Sequence, residues 1–193
     1  MTTLLTQNSK LKKTSLMNNQ RVYNFGIPAQ STCLWAGECK AFCYASKGAY
    51  AWSNVKPAFE RRLETTKTDS FIPMMIGEIL AKKATHIRIH DSGDFYSREY
   101  LHKWFKIMEA LPMVEFYAYS KSLPLFVNER LPKNFTLIKS QGGKRDDLIN
   151  TQNDRHARIF KSEAELLAAG YVNASNDDLQ AIGSNKLVGL VIH

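Results

Sequence analysis

The strongest constraint on the fold is an alternation along the middle of the chain, where short apolar runs and amphipathic segments follow one another with few residues between them. Residues 86–90 (His-Ile-Arg-Ile-His), 114–119 and 135–139 read as strands. Each runs into small or polar residues: Asp91-Ser92-Gly93-Asp94, Ser120-Lys121-Ser122 and Ser140-Gln141-Gly142-Gly143. Residues 97–110 place Tyr100, Leu101, Trp104, Phe105 and Met108 on one helical face, and 123–130 read as a short helix. Strand, helix, strand, helix with short connections calls for a parallel sheet with right-handed crossovers. Residues 21–27, 157–160 and 187–192 add strands; residues 57–68, 70–83 and 162–169 add helices, the last with Gly170 as its stop. The expected fold is therefore α/β, a partial (open) parallel β/α barrel of about six strands. At 193 residues the chain is one domain, short of the roughly 250 residues of a complete eight-unit barrel.

Ordinary glycine and proline counts, with 44% hydrophobic residues, exclude collagen, coiled coil and wholesale disorder. No apolar run approaches the roughly 18 residues of a membrane span. Residues 1–20 lack a signal peptide's apolar stretch. The expectation is a soluble cytoplasmic protein with no membrane partner. Residues 1–19, polar and basic, read as a flexible tail ahead of a single domain at 20–193. The 26 Lys+Arg against 18 Asp+Glu give +8, compatible with nucleic acid, an anionic cofactor or an acidic protein. The basic residues are scattered, and no helix-turn-helix, zinc-finger or ribonucleoprotein signature occurs. A solvated basic surface is the simpler reading, with weak nucleic-acid binding behind it.

All three cysteines, Cys33, Cys39 and Cys43, fall within eleven residues. They lie in a loop that follows the first strand, so they belong on the rim where the parallel strands end, the usual ligand side of such sheets. An odd number of cysteines in a chain with no export signal argues against a structural disulfide set and toward metal or redox chemistry. Structural zinc wants four ligands and usually a close C-x-x-C pair, which is absent; His86 or His90 would have to complete the site from a distant strand. Three thiolates suit a [4Fe–4S] cluster and leave one iron for another ligand. Zinc and metal-free thiols remain the alternatives.

Around the same rim, Asp91 and Asp94 flank Ser92-Gly93, either as a tight turn that caps the next helix or as ligand-facing groups. His86, Arg88 and His90 alternate and should share one side of their strand, the histidines as core or surface residues rather than ligands. Lys121 and Lys139 lie near enough to meet a carboxylate or phosphate. Gly142-Gly143-Lys144-Arg145 lacks phosphate-loop spacing. Tyr44, Tyr50 and Trp52 follow the cysteines and could shield a cluster.

Residues 33–44 (Cys-Leu-Trp-Ala-Gly-Glu-Cys-Lys-Ala-Phe-Cys-Tyr), followed by Ala45, resemble the cysteine segment of the phage "gene product 88" family. The resemblance continues through 87–97 (Ile-Arg-Ile-His-Asp-Ser-Gly-Asp-Phe-Tyr-Ser), 116–122 and the ending 189–193, covering roughly residues 20 to 193. It implies a phage protein acting in the host cytoplasm and names no reaction. A broader resemblance is to radical S-adenosylmethionine enzymes, whose partial β/α barrel holds a [4Fe–4S] cluster on a three-cysteine loop. There an aromatic residue precedes the last cysteine, as Phe42 precedes Cys43, and a Gly-rich acidic turn like Ser92-Gly93-Asp94 holds the methionyl amine. That resemblance implies metal ligation by Cys33, Cys39 and Cys43. It also implies cofactor contacts from Phe42, Asp91, Ser92, Gly93, Asp94, Ser120, Lys121, Ser140 and Gln141, S-adenosylmethionine as cofactor, an unnamed substrate and a host electron donor. The cysteine spacing departs from the usual three-then-two, being five then three. The competing expectation is a non-catalytic iron–sulfur protein: an electron carrier, a redox sensor or a binding module.

Overall fold

The computed structural model describes residues 3–40, 43, 45 and 47–192. Its strands are β1 (Leu5–Thr6), β2 (Val22–Phe25), β3 (His86–Ile89), β4 (Glu115–Ser120), β5 (Phe135–Ser140), β6 (His156–Phe160), β7 (Val172–Asn173) and β8 (Leu187–Val191). They form one sheet in the order β1-β2-β3-β4-β5-β6-β8-β7. Only β1, which pairs with β2, is antiparallel; the remaining pairs are parallel. The sheet is open, with β1 and β7 at its edges. The α/β class holds, and the expected six or so strands become eight. The two additional strands, β1 and β7, are two residues long, too short to register as alternation in a sequence.

Helices α2 (Val55–Thr66), α3 (Phe71–Lys82) and α4 (Arg98–Ala110) belong to the crossovers on the larger core. Helix α4 starts where Ser97 Oγ accepts from Tyr100 N, closing the first turn. Its Tyr100, Leu101, Trp104 and Met108 are buried with Phe71, Met75 and Ile79 of α3 against Phe25, Ile87, Ile89 and Phe116 of the strands. Side chains of this size each contribute about 1.5–3 kcal/mol on full burial. Trp104 sits edge-on to Phe25 and Phe71, with ring centroids 5.4 and 5.5 Å apart. Helix α5 (Glu163–Ala168), capped by Ser162, packs Leu166 directly over Gly189 of β8. The segment read as a helix over 123–130 contains only a 3-10 turn, Leu123–Leu125, which carries Pro124.

The amino-terminal segment is part of the fold rather than a free tail. Leu4, Leu5 and Leu11 are buried, and Glu78 of α3 accepts from Leu4 N (2.8 Å) and Leu5 N (3.1 Å). Helix α1 (Ser9–Asn18) is capped by Asn8 and held largely by polar groups. Lys10 Nζ lies 2.6 Å from Asp178, Thr14 Oγ1 accepts from Asp178 N, and Asn18 donates to Asp177. Asp178 sits in a 3-10 turn, Asp178–Ile182. It also meets Arg88 of β3 (2.8 Å) and Tyr117 of β4 (2.6 Å). A smaller apolar core, including Tyr117, Ile138, Ala157 and Val188, continues from there toward β8.

Candidate functional site at the carboxyl ends of the strands

The connections that leave the carboxyl ends of β2, β3 and β4 are knitted together through one acidic turn. His90 N and Asp91 N both donate to Phe25 O at the end of β2, and Ile27 N donates to Ser92 O. Gly93 adopts φ +83° where the chain passes closest to the β2 loop. A Cβ there would come 2.5 Å from Ile27 Cγ1 and 2.7 Å from Thr32 Oγ1, so both the conformation and the space require glycine. Asp94 follows, and its carboxylate points inward. Asp94 Oδ1 accepts from Ser120 Oγ (2.7 Å) and Phe95 N (2.8 Å), and Oδ2 accepts from Lys121 N (2.9 Å). Thr32 Oγ1 accepts from Asp94 N (3.3 Å) and donates to Pro28 O (2.7 Å). One buried carboxylate thus ties β4 to the turn, and the amide of the same residue ties in the cysteine loop.

The cysteine loop is fastened a second time, to the end of β5. Gly37 N donates to Gly142 O, Lys144 N donates to Trp35 O (2.8 Å), and Ala36 and Gly143 form an isolated antiparallel bridge. A Cβ on Gly37 would lie 2.7 Å from Gly142 O, so the approach depends on its missing side chain. Lys144 Nζ reaches Leu34 O (3.2 Å). The segment carrying Cys33 is therefore anchored by β3 on one side and β5 on the other. Asp146 closes the β5 side, accepting from Gly142 N and Gly143 N.

The electrostatics around Cys33 are adverse to a thiolate. Burial, then the neighbouring Asp94 carboxylate, push its thiol up to about 11, and the thiols of Cys43 and Cys39 are close enough to add to the rise. Burial also raises the Asp94 carboxyl, against the hydrogen bonds from Ser120, Lys121 N and Phe95 N. Asp91 is raised by burial too, against Arg88, Asn24, Tyr50 and Arg62. A bound cation would reverse this situation, because metal coordination favours the deprotonated thiol. The donor set is of the type an iron–sulfur cluster takes: three thiols with no disulfide among them. Among the described residues, however, no group of three His, Cys, Asp or Glu side chains is arranged to hold a metal ion. Holding a cluster would require Cys39 and Cys43 to converge with Cys33 on one centre.

The structure brings together most of the rim residues singled out in the sequence. Asp91, Ser92, Asp94 and Ser120 are buried within the rim. Asp91 accepts from Tyr50 Oη (3.2 Å), and that ring stacks on Phe59, centroids 5.9 Å apart. Lys121, Ser140 and Gln141 are half-buried. Lys121 Nζ donates to Ser140 Oγ (2.6 Å), and Gln141 N donates to Ala157 O. Lys139 pairs with Asp154 at 2.6 Å. Phe42 and Tyr44 lie outside the described residues.

The expected alternation of His86, Arg88 and His90 breaks at the strand end. His90 has φ +64°, which turns its ring into the larger core beside Phe95, centroids 4.6 Å apart. There His90 Nε2 lies 2.9 Å from Tyr100 Oη, and burial lowers its pKa to about 3. Among these groups, sequence reasoning did not find Thr32, the link between Cys33 and Asp94, or the docking of residues 35–37 on 142–144. A threonine one residue before the first cysteine was the available signal.

A family model described as gene product 88 matches residues 2–191. No curated protein and no solved structure matches the chain. Among the described residues no helix is long and apolar enough to cross a membrane.

Proposed function

We propose, from the premise that the chain belongs to the gene product 88 family, that it is a phage iron–sulfur protein whose Cys33, Cys39 and Cys43 hold a [4Fe–4S] cluster. The observation that carries this reading is the double anchoring of the cysteine loop. Thr32 joins it to the Asp94 turn and residues 35–37 join it to 142–144, with Cys39 and Cys43 in electrostatic reach of Cys33. A loop anchored at one end with three thiols on it suits a cluster site. In this reading the open sheet is a partial barrel, and the cluster sits over the carboxyl ends of its strands. A cluster with one iron free of protein ligands supplies single-electron reduction of whatever is chelated there, and S-adenosylmethionine is the ligand we assign. Lys121, Ser140 and Gln141 are the half-buried polar groups left to meet it.

One observation favours a second reading, a non-catalytic iron–sulfur protein. The Asp94 carboxylate already accepts three hydrogen bonds from the protein, so the acidic turn holds the fold and offers little to a cofactor amine. Electron paramagnetic resonance on anaerobic, reduced protein separates the two. A [4Fe–4S]⁺ signal altered by S-adenosylmethionine supports the radical reading. A cluster signal indifferent to the cofactor leaves an electron-transfer or sensing protein.

A further inference from the structure

The connection from β2 to α2 carries an imbalance of charge at the cysteine rim. Residues 28–56 contain three lysines, Lys40, Lys47 and Lys56, against a single acid, Glu38. Lys121 and Lys144 reach the same rim from the ends of β4 and β5. Lys40, Lys47, Lys56 and Lys144 are exposed and Lys121 half-buried. Among the described residues none of the five forms an ion pair. The exposed acids beside them are already engaged: Asp146 by Gly142 N and Gly143 N, Asp147 by Arg145. Among the described residues, then, no ion pair offsets the cationic character of this edge.

The rim also exposes an aromatic ring. Trp52 is 61% exposed, whereas Trp104 is buried and Trp35 packs against the larger core. Lys56 N donates to Trp52 O, so indole and ammonium leave the same turn. Leu34, 46% exposed, adds apolar surface on the cysteine loop. Lysines free of ion pairs, on the same connections as an exposed indole, match a polyanion with flat faces: the lysines take phosphates and the ring stacks on a base. A duplex offers phosphates but keeps its bases stacked on one another; an acidic peptide offers charge without the faces.

From this juxtaposition we propose that the cysteine rim binds single-stranded nucleic acid, with Lys40, Lys47, Lys56, Lys121 and Lys144 on the phosphates and Trp52 stacked on a base. The inference does not depend on the cluster, and iron content measured on the same preparation keeps the two apart.

The test is a fluorescence-anisotropy titration of the full chain with a labelled thymidine 20-mer over a salt series. With about five phosphate contacts, log K falls against log salt with a slope of about −3.5, or roughly 100-fold between 50 and 200 mM salt. Trp52→Ala is expected to weaken binding about ten-fold while leaving that slope unchanged. Lys56→Ala reduces the slope by about 0.7. Circular dichroism of both variants confirms that they fold. Three outcomes overturn the proposal: no binding at 50 mM salt, equal affinity for polyglutamate or for a duplex of the same length, or a folded Trp52→Ala protein that binds like the parent.

Discussion

Two buried charged clusters sit on the same sheet and differ in how they are resolved. At Asp178 the charges are matched. Burial alone would raise that carboxyl, yet Arg88 and Lys10 outweigh it, with Tyr117 donating as well, and hold it below the usual carboxylate range. At the cysteine rim the balance runs the other way. Cys33, Asp91 and Asp94 are all raised, chiefly by burial, which Arg88 and Arg62 only partly offset at Asp91, and Lys121 directs its ammonium to Ser140. The first cluster fastens α1 to the sheet and is complete within the chain. The second gathers buried groups that resist negative charge, which a bound cation would relieve. That contrast, more than the cysteine count, is why the rim is the candidate site and the Asp178 network is structural.

The sharpest way to break the contrast is Asp178→Asn. It leaves the half-buried Lys10 and Arg88 against a neutral amide, and loss of one partner in a buried ion network costs about 3–5 kcal/mol. For a chain of this size that is a fall of roughly 10 °C in melting temperature, with protection of the α1 amides lost first in hydrogen exchange. A variant that melts like the parent would mean that the network adds nothing beyond apolar packing. Ser120→Ala is the smaller counterpart at the rim. It removes one of two donors to Asp94 Oδ1, for about 1–3 kcal/mol, and it pushes the Asp94 carboxyl further up.

The pH dependence of stability sharpens the same comparison, because the two clusters have opposite sign. The folded Asp94 and Asp91 carboxyls are raised, so the folded chain takes up protons before the unfolded one. Their contribution grows as pH falls from their folded values toward about 4, where unfolded carboxylates protonate. The folded Asp178 carboxyl is lowered, so its contribution is present above about pH 4 and is lost as pH falls through its folded value. Denaturant unfolding of metal-free protein across this range is expected to give an upper limb that Ser120→Ala extends to higher pH and a lower limb that Asp178→Asn removes. A single limb, unchanged by either variant, would contradict the assignment.

Most of the sheet was legible in the sequence because β3, β4, β5, β6 and β8 are short apolar runs, found to within about two residues at their ends. Helix α1 was not. It buries Leu11 and Thr14 but exposes Leu16 and Met17, so its pattern has no apolar stripe; its anchors are polar and lie over 150 residues away at Asp177 and Asp178. The place of the rim in the fold was legible and the packing of its side chains was not. Strand ends and cysteine spacing located Asp91, Asp94 and Ser120. Their burial follows from a positive φ at Gly93 and from donors on three separate connections, which local pattern does not encode. His90 is the same lesson in one residue, since φ +64° turns it out of the alternation that its neighbours keep.

The central claim is that the cysteine rim is completed by an iron–sulfur cluster. Its most direct test is iron and acid-labile sulfide per chain after anaerobic reconstitution and desalting, in the parent and in Cys33→Ser, Cys39→Ser and Cys43→Ser. The account predicts about four of each per chain in the parent and a loss of most of both in every variant. Zinc in place of iron, or parent protein that emerges without iron and sulfide, would contradict it.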